Sequence, residues 1–155
     1  MIKIVPIIPK SLLRDVQDIE RDIAHALDTT IIAVQTDFES TTGTWKHNVH
    51  FTLGRPSPYE RECATNDAIY GYVDGGTKPH LIRPRRARRL RFKTGYRAKT
   101  TPGVIGSTGG GASGPVVYAR AVRHPGTKAR KFADAIAKKA EKMLLAELDK
   151  AMKDI

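Results

Sequence analysis

Cysteine is almost absent from the sequence, whose 155 residues include only Cys63. One cysteine cannot form a disulfide within the chain, so a reducing compartment is the simplest expectation. A nucleophilic cysteine needs an activating, electropositive neighbourhood, whereas most single cysteines are inert. We therefore interpret Cys63 as a buried or neutral thiol.

Long apolar runs are also missing. No stretch approaches the ~20 apolar residues that span a bilayer. The apolar residues 1–9 are few, include Pro6 and Pro9, and lack a cleavage-type sequence, so they do not resemble a signal peptide. We expect a soluble, cytoplasmic protein in which residues 1–9 form an extended arm that packs on a neighbouring subunit.

Acidic residues are missing from one long part of the chain. Residues 75–133 contain no Asp or Glu but fifteen Lys and Arg, whereas the remainder contains sixteen acidic and twelve basic residues. The formal net charge of +11 is therefore concentrated in the middle of the sequence. This asymmetry indicates either a polyanionic partner or acidic patches on neighbouring copies of the same chain.

Residue patterns typical of catalysis or metal binding are absent too. No nucleophile stands with a base, no carboxylate pair suggests a cleft, and the five histidines are scattered. The glycine-rich stretch at residues 96–115 is not followed by Gly-Lys-Ser/Thr and lacks dinucleotide-binding spacing. We expect no enzymatic activity and no catalytic, cofactor-binding or metal site.

Two segments have the apolar spacing of amphipathic helices. The first covers about residues 10–40, with Ser11 as its N-cap and a kink conceivable at Thr29 and Thr30. The second covers about residues 129–155. The predicted apolar positions are Leu12, Val16, Ile19, Ile23, Leu27, Ile31, Val34 and Phe38 in the first helix, and Phe132, Ile136, Ala140, Met143 or Leu144, Leu148 and Met152 in the second.

The segment between these helices predicts short strands. Residues 45–53 alternate most clearly, and residues 60–65 follow after a turn at residues 54–58. Residues 66–73 fit either a short helix capped by Asn66 or Asp67 or a strand. Three more strands are predicted at residues 81–82, 90–92 and 116–122.

The order of elements predicts an α+β fold. We expect a single domain over residues 1–155, with an antiparallel sheet on which the long N-terminal helix and the C-terminal helix pack. Residues 96–115 form a long glycine-rich loop between strands. A loop of this length without structure of its own is unusual in a compact domain, so we expect it to become ordered in an assembly.

The basic segment at residues 75–92 organises the rest of the sequence. It starts with a glycine turn, contains two prolines, and has apolar anchors at Leu90 and Phe92. Its cations could contact phosphates without sequence specificity or pair with acids of neighbouring copies, and we slightly favour the second alternative. The cations of the segment are Lys78, Arg83, Arg85, Arg86, Arg88, Arg89 and Arg91.

Two similar turns are separated by about fifty residues. We predict that they lie near each other and connect the sheet to the last helix. The two histidines could share a site, but we favour a hydrogen bond from each to the backbone of its own turn. The motif residues are Gly76, Thr77, Pro79 and His80 in the first turn, and His124, Pro125, Gly126 and Thr127 in the second.

These motifs also carry a resemblance. A Tyr- and Val-containing lead into GTKPH, then IRPRRARRLRF, a variable loop, and VRHPGTKARKF before a terminal helix resembles the tail-completion or minor tail component family of long-tailed bacteriophages. The similarity covers residues 71–155, and the N-terminal helix matches in position only. The glycine-rich loop at residues 96–115 departs from the family pattern.

The resemblance implies a small α+β virion protein without catalytic activity. Copies would form a hexameric ring in the neck, between the head–tail connector proteins and the tail terminator or tail tube protein, around the DNA channel. The ring would assemble in the host cytoplasm and touch genomic DNA non-specifically, with no membrane partner. The alternative is a stand-alone, non-specific nucleic-acid-binding protein that acts through residues 83–91.

Overall fold

The predicted α+β class is confirmed. The computed structural model describes residues 16–153, so the predicted arm at residues 1–9, the Ser11 cap and the last two residues lie outside the described residues. Three helices and eight short antiparallel strands follow one another along this range. They are α1 Val16–Thr42, β1 Thr52–Ser57, β2 Glu60–Ala64, α2 Ala68–Gly75, β3 His80–Ile82, β4 Leu90–Lys93, β5 Tyr96–Arg97, β6 Gly111–Ala112, β7 Val116–Ala119, β8 Val122–His124 and α3 Phe132–Lys153.

The two long helices pack against each other, and α1 also contacts β2. Helix α1 runs without interruption through Thr29 and Thr30. Thr30 is buried in this helix. An ion pair joins the helices at 2.7 Å between Lys139 Nζ and Asp37 Oδ2. Of the predicted apolar positions, Phe38 and Ile136 are buried, whereas Val16 and Met152 are 67% and 49% exposed.

An aromatic cluster lies beside this helix pair. The rings of Phe38 and Phe51 stack with centroids 5.0 Å apart. Tyr70 meets both rings edge-on and reaches the ring of Phe132 at 6.4 Å. Phe132 is fully buried and Ile136 is almost so. These side chains join α1, α2 and α3 into one core.

The strand predicted at residues 45–53 is wrong over most of its length. Residues 45–51 have no ladder partner, and β1 begins only at Thr52. Its partner strand β2 ends at Ala64, and Asp67 caps the next helix shortly afterwards. No strand is therefore left to pair with residues 45–51. The alternating apolar side chains Trp45, Val49 and Phe51 instead pack on the core from an irregular segment.

The turn predicted at residues 54–58 is displaced. Strand β1 continues to Ser57 through a register irregularity after Gly54, and the turn falls at residues 58–59. The bulge accommodates Pro56, which lacks a backbone donor. Arg61 Nη1 donates to the carbonyls of Pro58 and Glu60 at 3.2 and 2.9 Å, which holds the turn together.

Residues 68–75 adopt the helical alternative. The Asp67 carboxylate accepts a hydrogen bond from Tyr70 N–H at 2.7 Å, as an N-cap does. This bond is the first cause that holds the pKa of Asp67 below its usual range, and His47 beside it is a lesser one. The strand alternative for this segment is wrong, since the cap satisfies a helix start and Tyr70 is needed in the core.

The remaining strands form one long folded ribbon, residues 77–127. We call this ribbon the arm from here on; it is not the N-terminal arm predicted at residues 1–9. Its ladders are nested: β3 pairs with β8, β4 with β7, and β5 with β6. A bridge between Thr77 and Thr127 closes the base. The antiparallel pairing predicted as one sheet is therefore divided among these ladders and the separate β1–β2 hairpin.

The glycine-rich segment forms a short ladder and hydrogen bonds within the single chain, and its ordering in an assembly stays a prediction. Its ends pair as β5 and β6, and Thr108 N–H donates to Lys99 O at 2.8 Å. The tip then returns to the body of the molecule, where Gly106 N–H donates to Thr41 Oγ1 at 3.0 Å. Ile105 adds an apolar contact with the core. The periodicity of side chains in the sequence does not predict this structure, because backbone hydrogen bonds hold most of the segment in place.

Candidate assembly and nucleic-acid interface

The two predicted turns meet at the base of the arm. Thr77 and Thr127 exchange backbone hydrogen bonds of 2.9 and 3.1 Å, and Thr77 Oγ1 also accepts from Thr127 N–H at 2.9 Å. Pro79 and Pro125 follow on either strand, where a missing amide donor is tolerated. The prediction that the turns lie near each other is confirmed, and they close the arm against the start of α3.

Two glycines make this closure feasible. Gly76 and Gly126 have φ angles of 78° and 91°. A Cβ on Gly126 would lie 2.2 Å from Thr77 O, and one on Gly76 would lie 2.7 Å from Thr127 O. Only residues without a side chain allow the two backbones to approach this closely in that conformation.

The motif histidines stand opposite each other next to the base. His80 pairs with His124 across the ladder, with ring centroids 5.0 Å apart. His80 Nδ1 lies 2.9 Å from Lys78 O, and Gly126 N–H donates to His124 Nδ1 at 3.1 Å. Each ring thus hydrogen-bonds the backbone of its own turn, as predicted, although the two rings also contact each other.

Five arginines of the basic segment leave the ribbon as one excursion. The ladder closes at the pair Ile82 and Val122 and resumes at Leu90 and Ala119. Seven residues, 83–89, thus stand opposite the two residues 120–121, and they loop outward with every arginine exposed. These arginines are Arg83, Arg85, Arg86, Arg88 and Arg89.

The other two cations of the segment stay on the ribbon. Lys78 is exposed beside the base, and Arg91 lies on β4, where its Nε donates to Tyr118 Oη at 3.3 Å. Among residues 16–153, none of the recorded ion pairs includes a cation of the arm. The positive charge of the basic segment is therefore exposed and left without ion pairs among residues 16–153.

Apolar side chains are exposed along the same ribbon. Leu81 is 51% exposed, Phe92 and Val117 are each 37% exposed, and Val116 is 36% exposed. Two strands alone cannot cover both of their faces. The middle of the arm consequently presents apolar and cationic groups together, between a base and a tip that both rest on the body.

Asp74, near the end of α2, anchors this helix to the start of α3, a role that the sequence pattern of a turn does not reveal. Its carboxylate accepts from the N–H groups of Phe132 and Ala133, the first residues of α3. Its carbonyl accepts from Arg130 and Lys131 N–H at 3.0 and 3.1 Å. A carboxylate at a helix N-terminus is favourable, but the partner lies 58 positions away and only the fold joins them.

The opposite charge is gathered on α1 and the β1–β2 hairpin, which we call the acidic face. Residues 16–64 contain eight acidic and four basic residues. Asp28 pairs with Arg61, whose hydrogen bond is the main cause of a lowered Asp28 pKa. Glu20 accepts from Tyr59 Oη at 2.9 Å, which raises the Tyr59 pKa. Acidic patches were expected from the charge asymmetry, but their place on the hairpin was not.

Two clefts flank α2 in the described part of the chain. One, of about 360 Å³, lies between Trp45, Val73 and the returning arm. The other, of about 370 Å³, is lined by polar residues that include His50 and Asp67.

Burial raises the pKa of the half-buried Cys63 thiol, with Glu39 as a second cause, which disfavours a reactive thiolate.

Residues 16–153 contain no group of three or more His, Cys, Asp or Glu side chains arranged to hold a metal ion. Within the same range, no helix combines the length and apolar character required to cross a bilayer. Comparisons with protein-family models, with curated proteins and with solved structures find no match to the chain. The geometry of the arm and the acidic face is thus the main guide to function.

Proposed function

We propose that the chain is a structural protein of the neck of a long-tailed bacteriophage. Copies form a hexameric ring that completes the tail and joins it to the head connector around the DNA channel. The observation that carries the proposal is the arm, whose exposed apolar and cationic residues need a partner surface. The two motifs that resemble the tail-completion family are the two halves of the clamp at its base, Thr77 and Thr127.

The build of the arm suits assembly. The base adjoins α2 and α3 along the chain, and the tip is tied down where Gly103 N–H donates to Arg130 O at 2.7 Å. The ribbon between them is held in place before any partner arrives, which lowers the entropy lost on docking. Its free ladder edges also present unpaired backbone groups that another chain can extend.

A ring in the neck is tested by particle composition and by imaging. Purified protein should form closed rings under electron microscopy, and the gene should lie near genes for a portal, a major capsid protein and a tail tube. Removing the gene should give filled heads and free tails that fail to join. Infectious, tailed particles without this protein would contradict the proposal.

A second candidate function is non-specific nucleic-acid binding, which the exposed arginine excursion favours. Arginine offers planar, permanently charged donors to phosphate. The monomer would then bind duplex DNA with an affinity that falls steeply with salt. The variant with serine at Arg85, Arg86, Arg88 and Arg89 should lose that binding, and unchanged binding would exclude this function.

A further inference from the structure

The arm and the acidic face are oppositely charged surfaces of one chain, and neither is fully matched within it. The arm, residues 77–127, contains no acidic residue. On the acidic face, the exposed carboxylates Glu39, Glu60 and Glu62 form no ion pair with any residue in the range 16–153. Charge of both signs is therefore left available for contacts outside the single chain.

The geometry of the β1–β2 hairpin explains why two of these carboxylates point outward. Side chains alternate along a strand, so Arg61 and Cys63 lie on one face and Glu60 and Glu62 on the other. Arg61 pairs with Asp28 of α1, and Cys63 packs near the core, so their face is the inner one. Gly54 stands opposite Glu62 and contributes no side chain that could cover it.

We propose that the arm of one copy docks on the acidic face of the next copy. The arginine excursion, residues 83–89, lies against Glu60, Glu62 and the neighbouring carboxylates. Exposed apolar residues of the ribbon, such as Leu81 and Phe92, would be removed from water by the same contact. This contact rests on the proposed ring and specifies which two surfaces join its subunits.

A second copy is the occupant that accounts for both surfaces. Nucleic acid would neutralise the arm but leave the acidic face unmatched and the apolar side chains of the ribbon in water. A contact between two different patches is head-to-tail, and such contacts generate closed rings or open filaments. Complementary charge also sets the register of the contact and speeds the encounter of the two surfaces. Because salt screens these charges, the assembly should weaken as the salt concentration rises.

The test uses charge reversal in the full chain, with oligomer size followed by light scattering and native mass spectrometry. One variant carries Arg85→Glu and Arg86→Glu, and the other carries Glu60→Arg and Glu62→Arg. Each alone places like charges against each other and should raise the dissociation constant of the contact by roughly a hundredfold. The control, Lys138→Glu with Lys142→Glu on the exposed side of α3, makes the same change in net charge as the arm variant and should assemble normally.

Rescue distinguishes docking from a general effect of charge. Mixing the two reversed variants, or combining all four substitutions in one chain, restores opposite charges at the contact and should restore the oligomer. Failure of both rescues, or normal assembly by the arm variant alone, would overturn the proposed contact. Loss of DNA binding without loss of assembly in the arm variant would overturn it in favour of nucleic acid as the partner.

The proposed contact and the proposed function can fail separately. Closed rings that persist in both reversed variants would refute this contact and leave a neck ring supported. Rescue by charge swapping in a protein that forms only open chains, and is missing from particles, would support the contact and refute the neck function.

Discussion

The body of the molecule and its arm are ordered by different means. The body buries side chains: Phe132 is 0% exposed and Ile136 is 1% exposed, between helices that carry their own backbone hydrogen bonds. The arm buries few side chains and is held by cross-strand hydrogen bonds, by glycines that permit close approach, and by attachment at both ends. Side-chain burial should therefore set the stability of the body, and backbone geometry should set the shape of the arm.

The largest expected effect breaks the body. Phe132→Ala removes a fully buried ring from the start of α3 and should lower the free energy of unfolding by about 3–5 kcal/mol. Urea unfolding followed by circular dichroism would measure the loss. A cost below about 1 kcal/mol would mean that the ring is not part of a packed core.

The second effect breaks the base of the arm. Gly126→Ala places a Cβ against Thr77 O at a positive φ and should cost about 2–4 kcal/mol. Limited proteolysis should then cut the arm before the helices unfold. Gly75→Ala is the matched control, because Gly75 lies in α2 with open space around its Cα and alanine favours a helix. Equal effects of the two substitutions would contradict the clamp.

The third effect is a pH dependence that belongs to the body, since the arm has no carboxylate. The pKa of Asp67 is lowered first by the hydrogen bond from Tyr70 N–H, so its stabilising contribution is present at neutral pH. That contribution should disappear as the pH falls below about 4 and through the folded-state pKa. Asp67→Asn retains a capping oxygen but does not titrate.

The wild-type protein should therefore be more stable than Asp67→Asn at pH 7, and this difference should vanish towards pH 2. Urea midpoints measured across that range would check it. Asp149→Asn removes an exposed carboxylate near the end of α3 and serves as the control for the loss of one charge. A difference that grows with falling pH would reverse the assigned sign.

The smallest effect on the isolated chain is expected within the arm. Phe92→Ala truncates a ring that is 37% exposed, and it should change the free energy of unfolding by less than about 1 kcal/mol. Assembly should suffer much more than stability if this ring is buried between copies. Parallel unfolding and light-scattering measurements would separate the two, and a cost matching that of Phe132→Ala would abolish the distinction between body and arm.

Much of the body could be predicted from sequence because helices are local structures. Spacing alone located α1 and α3, and Phe132 and Ile136 were placed correctly on the buried side. The same method failed at Trp45, Val49 and Phe51, whose alternation matches a strand. Their partners are core side chains rather than a neighbouring strand, and alternation does not encode the absence of a partner.

The candidate interface was predictable in part. The repeated Gly-Thr turns and the lack of acidic residues could be seen directly in the sequence. The predicted proximity of the two turns was correct. The excursion at residues 83–89 was not, because its existence depends on where two distant strands stop pairing. The role of Asp74 was not predictable either, since the helix that it caps begins far along the chain.

The sequence by itself determined the two long helices, the separation of charge and the residues able to form tight turns. These follow from local periodicity, from composition and from the conformational freedom of glycine. The tertiary structure alone decided how residues 77–127 fold into an arm, which cations leave it together, and how Asp74 is joined to α3. Those outcomes depend on strand register and on contacts between distant residues, and neither quantity is carried by any single stretch of the chain.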